Sequence, residues 1–295
     1  MRPLFFMSTK KSIYFLLLFL NLFFFRTEKL FSQNSDSLSV LITKMQRGSD
    51  DLIRAKAQFE FDQRLSDSIH LYATFDKNIS AFKNVSVLES PDKLLKIYTY
   101  TYPTFDGTNY YYFGFIQYRK SIKDSVITIQ LRDSTASIIK PETEKLSSQK
   151  WLGAAYYSIQ ELKFKGKQYY ILLGWKGYNQ TTTKKIIEVL YFDEQSAKFG
   201  YSLFKTGSVY RNRIIFSFTS QASMSLKFSK NGKEIVFDHL SSPKSKQDGD
   251  IQVLTGPDGT YDSFKLVKGR YQLGKDIDAR TEDSQEKPLP TPPTK

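Results

Sequence analysis

At 295 residues, with 40% apolar side chains, the chain has room for one large domain or two small ones and enough apolar material for a sizeable core. It has no cysteine, which excludes disulfides, thiolate nucleophiles, cysteine-ligated metal sites and a lipid anchor on an N-terminal cysteine. A formal charge of +13 suits either an anionic partner or a lysine-rich solvated surface, and the solvated surface is the simpler reading.

The N-terminus reads as an address. Arg2, Lys10 and Lys11 precede an apolar run from Ile13 to Leu20 that continues through Asn21 to Phe25. A positive n-region before an apolar h-region is the pattern of a secretory signal, and the run is shorter than a spanning helix needs. Small Ser32 places the cut before Gln33. Met7 is an alternative start, and an uncleaved anchor is the alternative fate, because Arg26 to Lys29 put charge between h-region and cut. Cleavage there removes five basic residues and one acidic residue, lowering the charge from +13 to +9.

Residues 33–83 read as a helical N-terminal segment. A short helix is expected around Ser37 to Met45. Ser49 then stands as N-cap, with Asp50 and Asp51 suiting the helix dipole in the first turn. Ile53, Ala57, Phe61, Leu65 and Ile69 recur every four residues, one apolar stripe that needs a surface to lie on.

From Leu94 the period changes from four to two, and 24 Phe and 19 Tyr favour pleated, half-buried surfaces. Tyr98, Tyr100 and Tyr102 alternate with threonines up to Pro103 and Asp106-Gly107, and Tyr110 to Tyr118 is the expected hairpin partner. Ile127 to Leu131 gives a third strand, and Thr135 to Lys150 a long loop. Ala154 to Phe164 and Gln168 to Trp175 form a hairpin about Lys165-Gly166-Lys167. Ile186 to Phe192 is a fully apolar strand, with Phe199 to Phe204 as its expected neighbour. Alternation returns at Ile214 to Phe218, Met224 to Phe228 precedes a turn at Asn231-Gly232, and Glu234 to Phe237 returns. Turns at Asp248-Gly249 and at Gly256-Pro257-Asp258-Gly259 flank a further strand, and Phe264 to Tyr271 carries the last. The fold expected is mainly β (α+β): N-terminal helix or helices packed on an antiparallel β meander forming a sandwich, barrel or propeller-like sheet over residues 84–281. Residues 282–295 are polar and Pro-rich, a disordered tail.

Motifs for chemistry are sparse. His70 and His239 are the two histidines, and neither an exposed-serine elbow nor an H-E-x-x-H spacing accompanies them, so no catalytic residue and no metal site is assigned. No phosphate-cradling glycine loop occurs, so no cofactor is expected. Glu188, Asp193, Asp238, Asp258 and Asp262 are the carboxylates available to a glycoside hydrolase, with no spacing that pairs them. Asp248-Gly249-Asp250 and Asp258 to Asp262 look faintly like calcium-loop material, but Gln252 and Val253 stand where a ligand and a glycine belong, and turn chemistry explains them. Lys163, Lys165 and Lys167 share one face of a strand, an ordinary amphipathic edge, and nucleic acid is not an expected partner.

The binding site expected from sequence is a rim of strand ends with unusual polar density, Asp238, His239, Asp258, Tyr261 and Asp262, with Trp175 as an aromatic platform for sugar. Asp36-Ser37-Leu38, Asp67-Ser68-Ile69, Asp124-Ser125-Val126 and Asp133-Ser134-Thr135 resemble the O-glycosylation signal of exported Bacteroidetes proteins. From Trp151 to Tyr271 the chain also resembles a family of exported, functionally uncharacterised proteins of those bacteria. The resemblance is carried by Tyr156-Tyr157, Gly166 to Trp175, Ala222 to Leu226, Ile235 to Leu240 and Gly256 to Asp262. It implies export and a β-rich domain, and carries over no functional residue. The expectation is a non-enzymatic protein of the periplasm, the outer surface or the secreted fraction, without a transmembrane span once the signal is cut, binding an envelope protein or glycan. A carboxylate-dependent hydrolase acting on carbohydrate is the alternative.

Overall fold

A computed structural model describes residues 38–70, 75, 85–241 and 255–275. The expected signal segment and Pro-rich tail, and the turn at Asp248-Gly249, lie outside the described residues. The chain divides into two compact units, residues 1–68 and 69–295.

The first unit is helical. Helix α1 covers 38–47 and α2 covers Asp51–His70. The cap differs from expectation by one residue: the Asp50 carboxylate, not Ser49, accepts the amide of Ile53 at 2.8 Å, and Ser49 donates its hydroxyl to Asp50. A carboxylate there satisfies an orphan amide and also meets the positive end of the dipole. Ala57, Phe61, Leu65 and Ile69 are buried, whereas Ile53, in the first turn, is 43% exposed. Among the described residues no helix is long and apolar enough to cross a membrane.

The second unit is three open, stacked sheets rather than a closed barrel. The first sheet has the order β1-β2-β3-β4, built from Val85–Glu89, Leu95–Pro103, Tyr110–Tyr118 and Ile127–Arg132. The second has β5 (Leu146–Ser147), β9 (Ser196–Phe199), β8 (Thr182–Asp193), β7 (Lys167–Gly177) and β6 (Ala155–Phe164), and β12 (Ile214–Thr219) also pairs with β8. The third has β11 (Val209–Arg211), β10 (Phe204–Thr206), β16 (Arg270–Gly274), β15 (Gly256–Val267), β14 (Glu234–Ser241) and β13 (Leu226–Phe228). Among the described residues, the named strands all pair antiparallel except β10 with β16, and the isolated bridge between Asp133 and Trp151 is also parallel.

The second sheet sits in the middle. Tyr170, Leu172, Ile186 and Leu190 join a core with Leu95, Ile97, Tyr112 and Ile116 of the first sheet. Tyr169, Ile171, Leu173, Ile187 and Val189 join another with Phe204, Ile235, Phe237 and Phe264 of the third. Side chains alternate across a strand, so a strand covered on both faces is apolar on both sides unless a buried charge is paired. That is why Tyr169 to Leu173 of β7 is an apolar run; Ile186 to Phe192 of β8, expected to be fully apolar, is interrupted by Glu188, whose buried carboxylate is paired with Arg213.

The hairpins form as the turn chemistry dictates. Lys165 (φ 49°) and Gly166 (φ 75°) both take positive φ, the two-residue geometry that matches strand twist. Three expectations are corrected. The neighbour of Leu190 to Asp193 is Ser196–Phe199, not Phe199 to Phe204. Gly256-Pro257-Asp258-Gly259 is the start of β15 itself, with Pro257 opposite Leu240, so it is strand and not a flanking turn. The stretch Phe264 to Tyr271 is two strands, β15 and β16, joined by the turn Lys268-Gly269.

Candidate functional site

Strands β14 and β15 bring together much of the rim expected from sequence. Phe237 lies opposite Asp262 and Asp238 opposite Tyr261, and the register then slips at His239, between Asp238 and Leu240. The extra residues are on β15, where Asp258 to Thr260 stand against the single residue His239, and such an irregularity re-aims the side chains beside it. His239 Nδ1 stands 2.8 Å from Oδ2 of Asp262, which is nearly buried, and Nε2 is 4.0 Å from Asp258. With Nδ1 protonated, the imidazole donates to a carboxylate that is itself fixed by the strand. Asp258 accepts the amide and hydroxyl of Thr260, and these bonds, with His239 adding a smaller effect, hold its carboxyl below the usual range.

Asp238, His239 and Asp262 line a cleft of about 320 Å³ that opens where the second and third sheets part. Its floor is apolar: Ile214, Phe216, Phe237, Phe264 and Leu273. Glu142 and Arg211, ion-paired with each other, stand on the far wall. Asp238 also ties β13 to β14, because its carboxylate accepts the Ser225 amide at 2.7 Å. Tyr261 and Trp175 do not line this cleft. Trp175 packs against the first core and meets Tyr110 edge-on at 5.3 Å, so it is no platform for the rim.

The carboxylates proposed for hydrolysis are dispersed. Glu188 is fully buried against Arg213, with Oε2 2.7 Å from Nε, and burial raises its pKa despite that partner. Asp193 is exposed at the end of β8. Of the Asp–Ser/Thr triplets, Ser68 lies within α2 and donates to the Arg64 carbonyl, whereas Ser125 is exposed between β3 and β4.

A second opening was not foreseen from sequence. Tyr118, closing β3, and Phe192, near the end of β8, stack with ring centroids 3.6 Å apart and planes within 6°. They join two bays, of about 430 and 700 Å³, that share Tyr118, Lys120, Phe192 and Glu194. Tyr170 meets Phe192 edge-on and donates its hydroxyl to Asp92 at 2.9 Å. Asp92 is held in turn by the Ser90 hydroxyl and the Leu94 amide. Burial, reinforced by Asp92 and Asp124, raises the Tyr118 hydroxyl pKa and keeps it a donor. The available signal was an aromatic residue at a strand end followed by charges, in Tyr118-Arg119-Lys120 and Phe192-Asp193-Glu194.

No family model, curated protein or solved structure matches this chain.

Proposed function

We propose that the chain is an exported, non-enzymatic protein of the cell envelope that binds a partner protein or a glycan. The observation that carries this reading is the cleft at His239: an apolar floor beneath a few fixed polar groups is the usual form of a ligand site. The N-terminal pattern of Lys10-Lys11 and the following apolar run supports export, as does the resemblance from Trp151 to Tyr271. The carboxylates nearest the cleft are engaged in architecture, Asp238 with the Ser225 amide and Asp262 with His239, which favours binding over hydrolysis.

The test is recovery of partners from an envelope extract, identified by mass spectrometry, with the unaltered chain and with His239→Ala and Asp262→Asn. Stability is measured separately by thermal melting. Loss of a partner at unchanged melting temperature supports the cleft. If recovery falls only in step with stability, the cluster is architecture and the reading is wrong. The alternative, a carboxylate-dependent carbohydrate hydrolase, draws on the exposed Asp193 and Glu194 beside Glu161 at the second opening. Release of reducing ends that is abolished by Glu161→Gln or Asp193→Asn would favour it.

A further inference from the structure

We propose that the groove built around the Tyr118–Phe192 stack binds a neutral oligosaccharide chain. This site is separate from the cleft at His239: it lies where the first and second sheets part, and no residue lines both.

Three features point to this ligand. The first is the aromatic pair. Stacked face to face, the two half-buried rings cover each other's inner faces and leave their outer faces and edges to the two bays, and the axial C–H face of a sugar ring is the polar ligand surface that an aromatic face complements. The second is the state of the charged groups around it. Lys120, Glu161, Lys163, Lys167, Asp193 and Glu194 line the bay beside the stack, and none makes a side-chain hydrogen bond or ion pair with a described residue. Ammonium groups offer only donors and carboxylates only acceptors, so the lining presents both to a ligand whose hydroxyls are both. The third is charge balance. With Asp92, this bay holds four carboxylates and three lysines in a chain of net charge +13. A polyanion, whether nucleic acid or sulfated glycan, gains nothing from such a site and is better served elsewhere on the surface.

The dimensions favour a chain over a single small molecule. Two bays joined across the shared stack form one open groove, each within the size of a ligand pocket, so successive sugar units can lie on either side of the rings. Asp92 is held in place by Tyr170, Ser90 and Leu94, and needs no reordering to accept a hydroxyl.

Isothermal titration of the full chain with a panel of neutral linear hexasaccharides (gluco-, manno-, xylo- and galacto-configured) tests the proposal. At least one is expected to bind in the millimolar range or tighter, and a heparin-type polyanion should not displace it. Tyr118→Ala and Phe192→Ala should each weaken binding by about tenfold or more, as for loss of a central aromatic anchor. The polar pair Glu161→Gln and Lys120→Ala, the first half-buried and isosteric and the second exposed, should weaken it less while leaving the melting temperature unchanged, and decides the matter if the aromatic variants fail to fold. His239→Ala should not alter it. Binding of no panel member, binding only of the sulfated polymer, or binding that survives both polar variants and any folded aromatic variant overturns the proposal.

Discussion

The most searching test of the fold is the ion pair sealed inside the second unit. Glu188 and Arg213 have fully buried side chains, joined at 2.7 Å, and Glu188 has one further partner, the Val189 amide at 2.9 Å. Arg213 also donates through Nη1 to the carbonyls of Pro141 and Glu144, so the pair ties the segment before β5 to β8 and β12. Replacing Arg213 by Met strands a carboxylate in a medium where an unpaired charge is costly. The expected loss is about 3–5 kcal/mol at pH 8, roughly 10 °C of melting temperature for a domain of this size. The variant also carries a pH signature. Burial places the Glu188 pKa above its unfolded value, and removing the cation raises it further. A carboxyl whose folded pKa lies above its unfolded one takes up a proton on folding as pH falls between the two, so stability rises as pH is lowered. The deficit of Arg213→Met should therefore shrink between pH 8 and pH 5. That of Glu188→Gln, which removes the titrating carboxyl and with it the native protein's own gain on acidification, should not shrink but grow over the same range. Urea unfolding at both pH values measures this. A deficit under about 1 kcal/mol, below the range for stranding a buried charge, or one equal at both pH values, would refute the reasoning.

Further outcomes are expected elsewhere. Phe61→Asp should destabilise the fold by about 4 kcal/mol or more, because Phe61 is wholly buried and the substitution adds an unpaired charge to the lost contact; an unchanged thermal melt would count against a packed helical stripe. Asp62, whose carboxyl is pushed up to about 7 by burial against the opposing effect of its bond from Gln58, keeps one oxygen with no hydrogen-bond partner. Asp62→Asn should stabilise by about 1–2 kcal/mol at pH 8 and lose its advantage at pH 5, where the native carboxyl is already protonated; unfolding curves at the two pH values decide. N-terminal sequencing of protein from an envelope fraction should begin at or near Gln33, and an intact Met1 or Met7 would mean an anchor.

Local chemistry made some elements readable and long-range pairing hid others. The hairpins β2–β3 and β6–β7 were legible because alternation and positive-φ turn residues act over a few positions. The apolar runs of β7 and β8 announced strands covered on both faces, though not what covered them. Pairing of β12 with β8, and of β10 with β16 in parallel, joins segments far apart in the chain and leaves no local trace. The start of β15 was misread because Gly, Pro and Asp are turn residues by propensity. Pairing with β14 overrode that preference, and Pro257, needing no donor, is tolerated near the beginning of a strand. The contact between His239 and Asp262 was legible only as shared polar density at strand ends. At Tyr118 and Phe192 the sequence carried only an aromatic followed by charges at each strand end; their pairing was not legible, since the stack exists only once two sheets are superposed.

The same stacking decides where a ligand can be met. Tyr169 to Leu173 and Ile186 to Leu190 are buried on both faces of the middle sheet, so no ligand reaches its surface without opening a core. Interiors are packed too tightly to admit one at small cost. Access is left to the edges where sheets diverge. On one side, β3 and β8 end together and expose Tyr118 and Phe192. On the other, the register shift between β14 and β15 leaves His239 beside Asp262 over a floor of phenylalanines. These openings draw on different cores: Tyr118 and Phe192 pack against the first, whereas Phe216, Phe237 and Phe264 belong to the second. Substitutions at one should therefore leave the other's binding intact, since sites so separated share no partners and their effects add. A variant that lost both at once would have lost the middle sheet.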